Sequence, residues 1–304
     1  SKWLSTCYGP LSSLSPTDPT MVHQIHRRLE RKLHESSSKK IALIVMDGLS
    51  LSQWLTIKQY LETKRPKLSF RESAVFAWIP TLTSISRQAI FAGKTPRDFS
   101  NYMTSTDYEE SLWIQSWQGV DGDTKTSPFY RKQIEKSSVQ ELVSALNQKK
   151  GSVAAGLVIN IVDEIMHGEK LGARGMHTHI LIWLQQQYLE NLLESLLSQD
   201  YSVWITSDHG NTECKETIKV PGQGSLPIEK GQRVKVYSSE NLRDSAASGL
   251  QSVYSWPPVG LPDGYYPLLA KENNAFGASG DLTISHGAAS IEEVIVPLVQ
   301  VERA

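Results

Sequence analysis

Acidic residues and histidines occur in four short groups along the chain, and each group stands beside a run of apolar residues. The groups are, in chain order, Asp47-Gly48, Asp163 with His167, Asp208-His209-Gly210 and His286-Gly287. Carboxylate oxygens and imidazole nitrogens are the atoms with which proteins bind zinc, and carboxylate-rich sites also admit manganese. The composition of these groups therefore indicates a site for divalent metal ions.

The first group also has a simpler explanation when it is taken alone, and the second could be built in two ways. Asp47-Gly48 is the sequence of a common tight turn, in which the glycine supplies the conformation and the aspartate binds nothing. Asp163 and His167 are four residues apart, so they bind one ion either from a single helical turn or across a tight loop. His177 and His179 are alternative ligands, although histidines are also common on the exposed face of a helix.

A hydroxyl-rich segment, residues 80–87, precedes an apolar helical pattern that ends at Gly93. A hydroxyl at a helix N-terminus faces unpaired backbone N–H groups, so it serves either as a helix cap or as an alkoxide that attacks phosphorus. Thr81 and Thr83 both fit, and the residue types alone do not choose between them. Arg87 follows Thr83 by four residues on the same helical face, where it binds a phosphoryl oxygen or pairs with a surface carboxylate.

Apolar runs that fit buried strands accompany these groups and alternate with helical patterns. The strand-like runs cover residues 41–46, 153–162, 202–206 and 294–299, and the helical patterns cover 50–63, 84–92, 138–149 and 178–198. This alternation predicts an α/β fold with a central, mostly parallel sheet flanked by helices. Ligands of such folds bind beyond the carboxyl ends of the strands, where most of the four groups fall.

The pattern divides the chain into an N-terminal piece, residues 1–38, and a main domain, residues 39–304. Residues 1–20 contain three prolines and many serines and predict an extended lead-in. Apolar residues at helical spacing then predict a helix over residues 22–33.

Two segments interrupt the alternation of strands and helices, and we call them the first insertion (about 94–136) and the second insertion (about 212–280). Both are rich in Gly, Pro, Ser and aromatic residues, and we expect them to form cap segments over the carboxyl edge of the sheet. Their aromatic side chains either form the core of these segments or stack nucleic-acid bases. The aromatic residues are Tyr102, Tyr108, Trp113, Trp117, Phe129, Tyr130, Tyr254, Trp256, Tyr265 and Tyr266.

The composition of the 304 residues is that of an ordinary soluble globular protein. A net charge of -1 gives no bulk attraction to nucleic acid, and two cysteines, Cys7 and Cys214, are too few for a disulfide framework. No apolar run approaches the roughly 18 residues that span a bilayer, and the N-terminal residues lack the basic, apolar and small-residue pattern of a signal peptide. We therefore expect a cytoplasmic protein without a membrane partner. Because the chain starts at Ser1 and not at Met, we also expect it to be a processed product or an excised domain of a longer protein.

The order of the motifs resembles the two-metal core of the alkaline phosphatase superfamily, which includes nucleotide pyrophosphatase/phosphodiesterases and cofactor-independent phosphoglycerate mutases. From about residue 40 to 302 the sequence is most similar to the PglZ domain, which is known from phage-defence (BREX) systems. The similar features are Asp47-Gly48, the Pro-Thr-x-Thr stretch at 80–83, His286-Gly287 and the Glu-Glu-Val-Ile-Val-Pro stretch at 292–297.

The resemblance implies a role for each matching residue. One divalent ion would be held by Asp47, Thr83, Asp208 and His209, and a second by Asp163, His167 and His286. Thr83 would attack phosphorus, and water at the second ion would hydrolyse the phospho-threonine. The resemblance thus implies a phosphodiesterase in phage defence that acts on nucleotides or nucleic acid and works with other defence proteins. Zinc is the favoured ion and manganese the alternative.

Two departures from the family patterns limit what the resemblance implies. The position at which phosphodiesterases of the superfamily place a phosphate-binding Asn is Ser86 here, with Arg87 beside it. Only 79 residues separate Thr83 from Asp163, which leaves no room for the second domain of the mutases. A phosphomonoesterase on the same core, or a catalytically weak scaffold of the defence complex, is the alternative function.

Overall fold

A six-stranded sheet organises the structure, a computed structural model that describes residues 2–14, 18–35, 40–103, 105–118, 128–149, 152–220, 224–227 and 231–303. The strands of the described chain are β1 (Lys40–Met46), β2 (Leu68–Phe76), β3 (Phe129–Arg131), β4 (Ala154–Ile159), β5 (Tyr201–Thr206), β6 (Thr212–Ile218), β7 (Val234–Tyr237), β8 (Val253–Ser255), β9 (Tyr266–Ala270), β10 (Asn274–Phe276), β11 (Leu282–Ser285) and β12 (Ile295–Arg303). The order across the main sheet is β2-β12-β5-β1-β4-β3. Strands β5, β1, β4 and β3 run parallel, while β12 lies antiparallel to β2 and β5. The expected mostly parallel α/β sheet is confirmed.

Helices cover both faces of this sheet. They are α1 (Lys2–Ser13), α2 (Ile25–Glu35), α3 (Leu51–Lys64), α4 (Thr83–Ala92), α5 (Glu109–Ser116), α6 (Val139–Gln148), α7 (Ile161–Gly168), α8 (Gly172–Leu184), α9 (Tyr188–Ser198), α10 (Glu240–Ala247) and α11 (Ile291–Val294), with short 3-10 turns at Val22–Gln24, Pro96–Tyr102 and Ile134–Lys136. Helices α3, α4 and α6 lie within a residue or two of the predicted bounds. Ser50 and Ser138 start α3 and α6 because each hydroxyl accepts a hydrogen bond from the backbone three residues on.

Strand β1 lies at the centre of two hydrophobic cores. Its alternate residues enter the two cores, Ile41, Leu43 and Val45 on one face and Ala42, Ile44 and Met46 on the other. The first core is closed by α2, α4 and α5, and the second by α3, α6, α8 and α9. Because both faces of β1 are buried, all of its side chains after Lys40 are apolar. The apolar run at residues 41–46 predicted this strand for that reason.

The prediction of an extended lead-in over residues 1–20 is wrong, because α1 occupies its first half. The buried Tyr8 side chain fixes this helix to the core: its hydroxyl donates to the Ala77 carbonyl at 2.7 Å and accepts from the Ile79 N–H at 2.9 Å. Leu4, Tyr8 and Leu11 have helical spacing, which the proline and serine content obscured. Residues 15–17 lie outside the described chain.

Two other predicted bounds are corrected. The long helix expected over 178–198 is two helices, α8 and α9, separated at Gln187, whose φ of 62° is incompatible with a continuous helix. The strand expected over 153–162 ends at Ile159, and α7 begins at Ile161. Asp163 is therefore a helical residue.

The two insertions differ from each other in their secondary structure. The first insertion contains α5 and contributes β3 to the edge of the main sheet. The second insertion contains β6 to β10 and α10. Its strands form the sheet β7-β9-β8 and, with β11 from beyond the insertion, the sheet β10-β6-β11. None of the helices in the described part of the chain has the length and apolarity that a membrane crossing requires.

Two histidines, His23 and His26, are buried where the N-terminal helices meet the first core. The ring of His23 packs on Trp78 with centroids 5.2 Å apart, and the ring of His26 packs on Trp117 at 4.6 Å. Burial, reinforced by the charge of Arg27, lowers the pKa of both rings from 6.5 to about 4.

Acidification is therefore expected to destabilise the fold through these two rings. In the unfolded chain the two histidines become protonated below about pH 6.5, whereas in the folded chain they stay neutral until about pH 4. The free energy of unfolding therefore falls across that window. We expect a loss of about 2 kcal/mol per ring between neutral pH and about pH 5, measured by urea unfolding. In a His23→Leu/His26→Leu variant, the free energy of unfolding should fall less over the same pH range. An equal fall in the wild type and the variant would show that these two rings do not cause it.

Candidate metal centre

The ends of three neighbouring parallel strands bring the predicted ligands together. Asp47 follows β1 directly, and Asp208 and His209 follow β5 after one residue. Asp163 lies in the first turn of α7, which begins just beyond β4. Because β5, β1 and β4 are adjacent and parallel, their carboxyl ends meet at one edge of the sheet.

The first ligand group consists of Asp47, Asp208 and His209. All three side chains are buried, and the ligand atoms that they offer lie within 4.8 Å of one another. Thr83, the first residue of α4, adds its hydroxyl: Oγ1 lies 3.0 Å from His209 Nε2 and 3.4 Å from Asp47 Oδ1. The four residues that the resemblance assigned to one ion are therefore neighbours in space.

The second ligand group consists of Asp163, His167 and His286, whose ligand atoms also lie within 4.8 Å of one another. Asp163 and His167 share one face of α7, with 3.1 Å between Oδ1 and Nε2, so the helical alternative is the one adopted. His286 follows β11, and its ring stacks on that of His209 at a centroid distance of 4.0 Å and an angle of 12°. The stacked rings place the two groups side by side.

Hydrogen bonds fix which nitrogen of these two rings faces the groups. Nδ1 of His286 lies 2.7 Å from the Thr81 carbonyl, and Nδ1 of His209 lies 3.0 Å from the Gly210 carbonyl. A carbonyl only accepts, so each Nδ1 carries a hydrogen and Nε2 is the atom left with a lone pair. Burial, together with the neighbouring His209 ring, lowers the pKa of His286 to about 3 and keeps it neutral.

Unsatisfied buried atoms show that this donor set fits a cation. Within the described residues, Nε2 of His286 and Oδ2 of Asp208 are buried without a hydrogen-bond partner. Burial raises the pKa of Asp47; Arg87 opposes the rise, while Asp208 and Asp163 increase it. A divalent ion would supply the positive charge that the buried carboxylates lack and would accept the unpaired lone pairs.

Arg87 lies inside this centre, and both of its ion-pair partners are buried rather than at the surface. Its Nη1 donates to Asp47 Oδ2 at 2.6 Å and its Nε donates to Glu109 Oε1 at 2.7 Å. These two pairs engage two of the five N–H donors of the guanidinium.

The other hydroxyls and histidines singled out in the sequence have structural partners. Thr81 Oγ1 donates to the Ala288 carbonyl at 3.0 Å and accepts from Gly287 N–H at 2.9 Å, and Ser86 accepts from Trp78 N–H at 3.0 Å. His177 Nδ1 lies 2.8 Å from the Thr56 hydroxyl, and His179 pairs with Glu169 at 3.0 Å. Neither histidine belongs to a ligand group.

Comparison with known families decides the affiliation of the chain. A family model described as the BREX system PglZ alkaline phosphatase-like domain matches residues 25–301. The chain belongs to the PglZ family. It is thus an alkaline phosphatase-like domain of the kind found in BREX defence systems.

Solved structures share the fold of this PglZ domain at low sequence identity. Murine ectonucleotide pyrophosphatase/phosphodiesterase 5 is similar with a TM-score of 0.63 and 13% identity, over 86% of this chain and 87% of that chain. An inactive form of the same murine protein in complex with AMP has a TM-score of 0.62 and 14% identity over the same shares. Phosphonoacetate hydrolase from Sinorhizobium meliloti 1021 has a TM-score of 0.56 and 11% identity, over 86% and 89%. None of the curated proteins matches the chain.

In this PglZ domain a buried ion pair that sequence reasoning missed supports the second ligand group. Arg233, from the second insertion, donates from Nε to Glu293 Oε1 at 3.2 Å, and both side chains are buried. The backbone N–H of Arg233 donates to the His286 carbonyl at 3.1 Å. The Glu-Glu-Val-Ile-Val-Pro stretch carried the family resemblance, but nothing in the sequence pointed to Arg233 as its partner.

Glu293 also organises the loops on either side of the stacked histidines. Its carboxylate accepts from Ala288 N–H at 2.8 Å and from Ser290 N–H at 3.1 Å, and its carbonyl accepts from Gly210 N–H at 2.9 Å. A Cβ at Gly210 would lie 1.9 Å from the carbonyl oxygen of Glu292, so only glycine permits this approach.

We expect Glu293→Gln to lower the free energy of unfolding by about 3 to 5 kcal/mol, because it leaves the Arg233 charge buried without its partner. The matched control is Glu292→Gln, the same change at an exposed neighbour, which should shift stability by less than about 0.5 kcal/mol. Urea unfolding of both variants measures the difference, and equal stabilities would contradict this role for Glu293.

Proposed function

We propose that this PglZ domain is a two-metal phosphodiesterase with Thr83 as its nucleophile. The observation that carries the proposal is the pair of adjacent three-residue ligand groups with the Thr83 hydroxyl beside the first. Asp47, Asp208 and His209 together with Thr83 would hold one ion, and Asp163, His167 and His286 the other. Three imidazoles favour zinc, and the three carboxylates admit manganese.

The chemistry proceeds by two displacements at phosphorus. Bound divalent ions lower the pKa of a nearby hydroxyl or water and neutralise charge on the phosphoryl oxygens. Thr83 Oγ1 forms a bond to phosphorus while the bond to the first alcohol breaks, and that alcohol leaves with a proton. Water then attacks phosphorus and breaks the bond to Oγ1, which releases a phosphomonoester and restores Thr83.

The environment of Thr83 supports its role over that of Thr81. Both hydrogen-bonding functions of the Thr81 hydroxyl are used by the backbone of the His286-Gly287 loop. Thr83 Oγ1 lies against the side chains of Asp47 and His209, and it stands at the positive end of the α4 dipole.

A nucleotide-like diester is the substrate class that we propose. The tryptophans of the insertions are buried in the first core, as the core interpretation predicted. Tyr102 and Tyr108 are partly exposed, and their rings pack against each other with centroids 4.6 Å apart and planes tilted by 39°. Gln88 Nε2 donates both to the Tyr102 carbonyl and to the Ser84 carbonyl, so this pair adjoins the helix that begins with Thr83. Partly exposed aromatic rings are a stacking surface for a base, and a structurally similar protein holds AMP.

The function is tested by hydrolysis of two chromogenic esters in the presence of zinc or manganese. We expect bis(p-nitrophenyl) phosphate to be cleaved faster than p-nitrophenyl phosphate. A chelator should abolish cleavage and lower the melting temperature, because ions that bind only the folded state stabilise it. Faster cleavage of the monoester would favour the phosphatase alternative. No cleavage of either ester, with unchanged melting under chelation, would favour the scaffold.

Replacement of the nucleophile gives a second test of the mechanism. Thr83→Ala should lower kcat by at least about 10³-fold, because no other hydroxyl replaces Oγ1, while the metal-free variant keeps the melting temperature of the metal-free wild type. Thr83→Ser keeps a hydroxyl and should retain measurable turnover, and Ser84→Ala serves as the neighbouring control with near wild-type rates. Full activity of Thr83→Ala in single-turnover assays would show that Thr83 is not the nucleophile.

A further inference from the structure

A buried carboxylate of the first insertion, Glu109, reaches the metal centre although no sequence motif includes it. Its side chain is fully buried and both of its oxygens are engaged. Oε1 accepts from Arg87 Nε at 2.7 Å, and Oε2 accepts from the Tyr130 hydroxyl. Glu109 therefore connects β3, which carries Tyr130, to α4, which carries Arg87.

The chain of contacts continues from Arg87 to one oxygen of Asp47. Nη1 of Arg87 donates to Asp47 Oδ2 at 2.6 Å. The other oxygen, Oδ1, faces the first ligand group, 3.4 Å from Thr83 Oγ1 and 4.0 Å from His209 Nε2. The two oxygens of Asp47 thus have separate partners, and Oδ1 is the one directed at the ligand group.

The bond between Glu109 and Nε restricts how Arg87 approaches Asp47. A guanidinium without other partners pairs with a carboxylate through two parallel hydrogen bonds, which would engage both oxygens of Asp47. With Nε bound to Glu109, the rotation of the guanidinium plane is fixed and Nη1 meets Oδ2 alone. Glu109 also offsets the Arg87 charge, which would otherwise oppose binding of a cation nearby.

We propose that Glu109, supported by Tyr130, is a positioning residue for the first ligand group: it holds Arg87 so that Asp47 keeps Oδ1 directed at a bound ion. Partners behind a ligand typically change metal affinity by 10- to 100-fold when they are removed. The inference rests on the proposed function only in requiring that both ligand groups bind metal.

Zinc binding to Glu109→Gln, followed by competition with a chromogenic chelator, tests this role without any assay of activity. We expect one of two zinc sites to weaken by about 10- to 100-fold, and the other to keep its wild-type affinity. Tyr130→Phe removes only the supporting hydroxyl, so it should weaken the same site by a smaller factor, and it keeps the test open if Glu109→Gln does not fold. The visible spectrum of the cobalt-loaded variants should change for one site alone.

The matched control is Glu190→Gln, which removes the charge of another buried glutamate that pairs with an arginine. Glu190 Oε1 lies 3.6 Å from Nη2 of Arg65, just beyond the end of α3. Helix α3 starts near the metal centre, and its 14 residues place Arg65 about 20 Å away along the helix. This variant should keep wild-type affinity at both zinc sites.

Three outcomes would overturn the proposed role. Unchanged zinc affinities in Glu109→Gln and Tyr130→Phe would overturn the positioning role of Glu109 and leave the proposed function intact. Equal weakening of both sites, matched by Glu190→Gln, would show a general loss of stability in place of positioning. Wild-type protein that binds no zinc would overturn the proposed function together with this role.

Discussion

Three aspartates buried at one sheet edge impose the constraint on which the rest of the structure depends. Asp47, Asp163 and Asp208 all lie at the carboxyl ends of neighbouring strands, and in the described chain Arg87 is the buried cation that contacts one of them. Buried carboxylates are costly unless charge and hydrogen bonds compensate them. Asp208 receives part of this compensation from backbone, since the N–H groups of Gly48 and His209 both donate to Oδ1 at 3.0 Å. Its second oxygen remains for a cation.

The two insertions are attached to this part of the fold in the same physical way. Each supplies one member of a buried arginine–glutamate pair whose other member belongs to the main fold: Glu109 reaches Arg87, and Arg233 reaches Glu293. One pair stands behind the first ligand group and the other behind the loop that carries His286. Because breaking a buried pair is far more destabilising than losing a surface pair, these contacts fix the insertions to the metal centre.

Sequence reasoning succeeded where the information is local. The run before Asp47 predicted β1 because a strand buried on both faces is apolar throughout, and a residue directly after such a strand lies at the carboxyl edge. The same reasoning placed Asp208 and His209. It failed for α1, where prolines and serines obscured the apolar spacing, and for the break at Gln187, which periodicity does not reveal.

The residues that escaped the sequence analysis are those whose partners are distant in the chain. In the sequence, Glu109 cannot be distinguished from other acidic residues of helices, because its partners Arg87 and Tyr130 are distant in the chain. The same holds for Arg233, whose partner is Glu293. Nothing in the spacing of either residue indicates burial. Tertiary packing alone converts such residues into supports of a site.

The unsatisfied atoms of the centre bear on the choice between an enzyme and a scaffold. A buried lone pair without a partner, such as Nε2 of His286, costs about 1 to 3 kcal/mol, and an uncompensated carboxylate oxygen of Asp208 costs more. A binding surface elsewhere on the fold gains nothing from these costs, since apolar residues of similar shape would fill the same space with greater stability. A bound cation recovers them, because the same atoms become its ligands. The energetics therefore favour a bound cation over an empty pocket at this edge of the sheet.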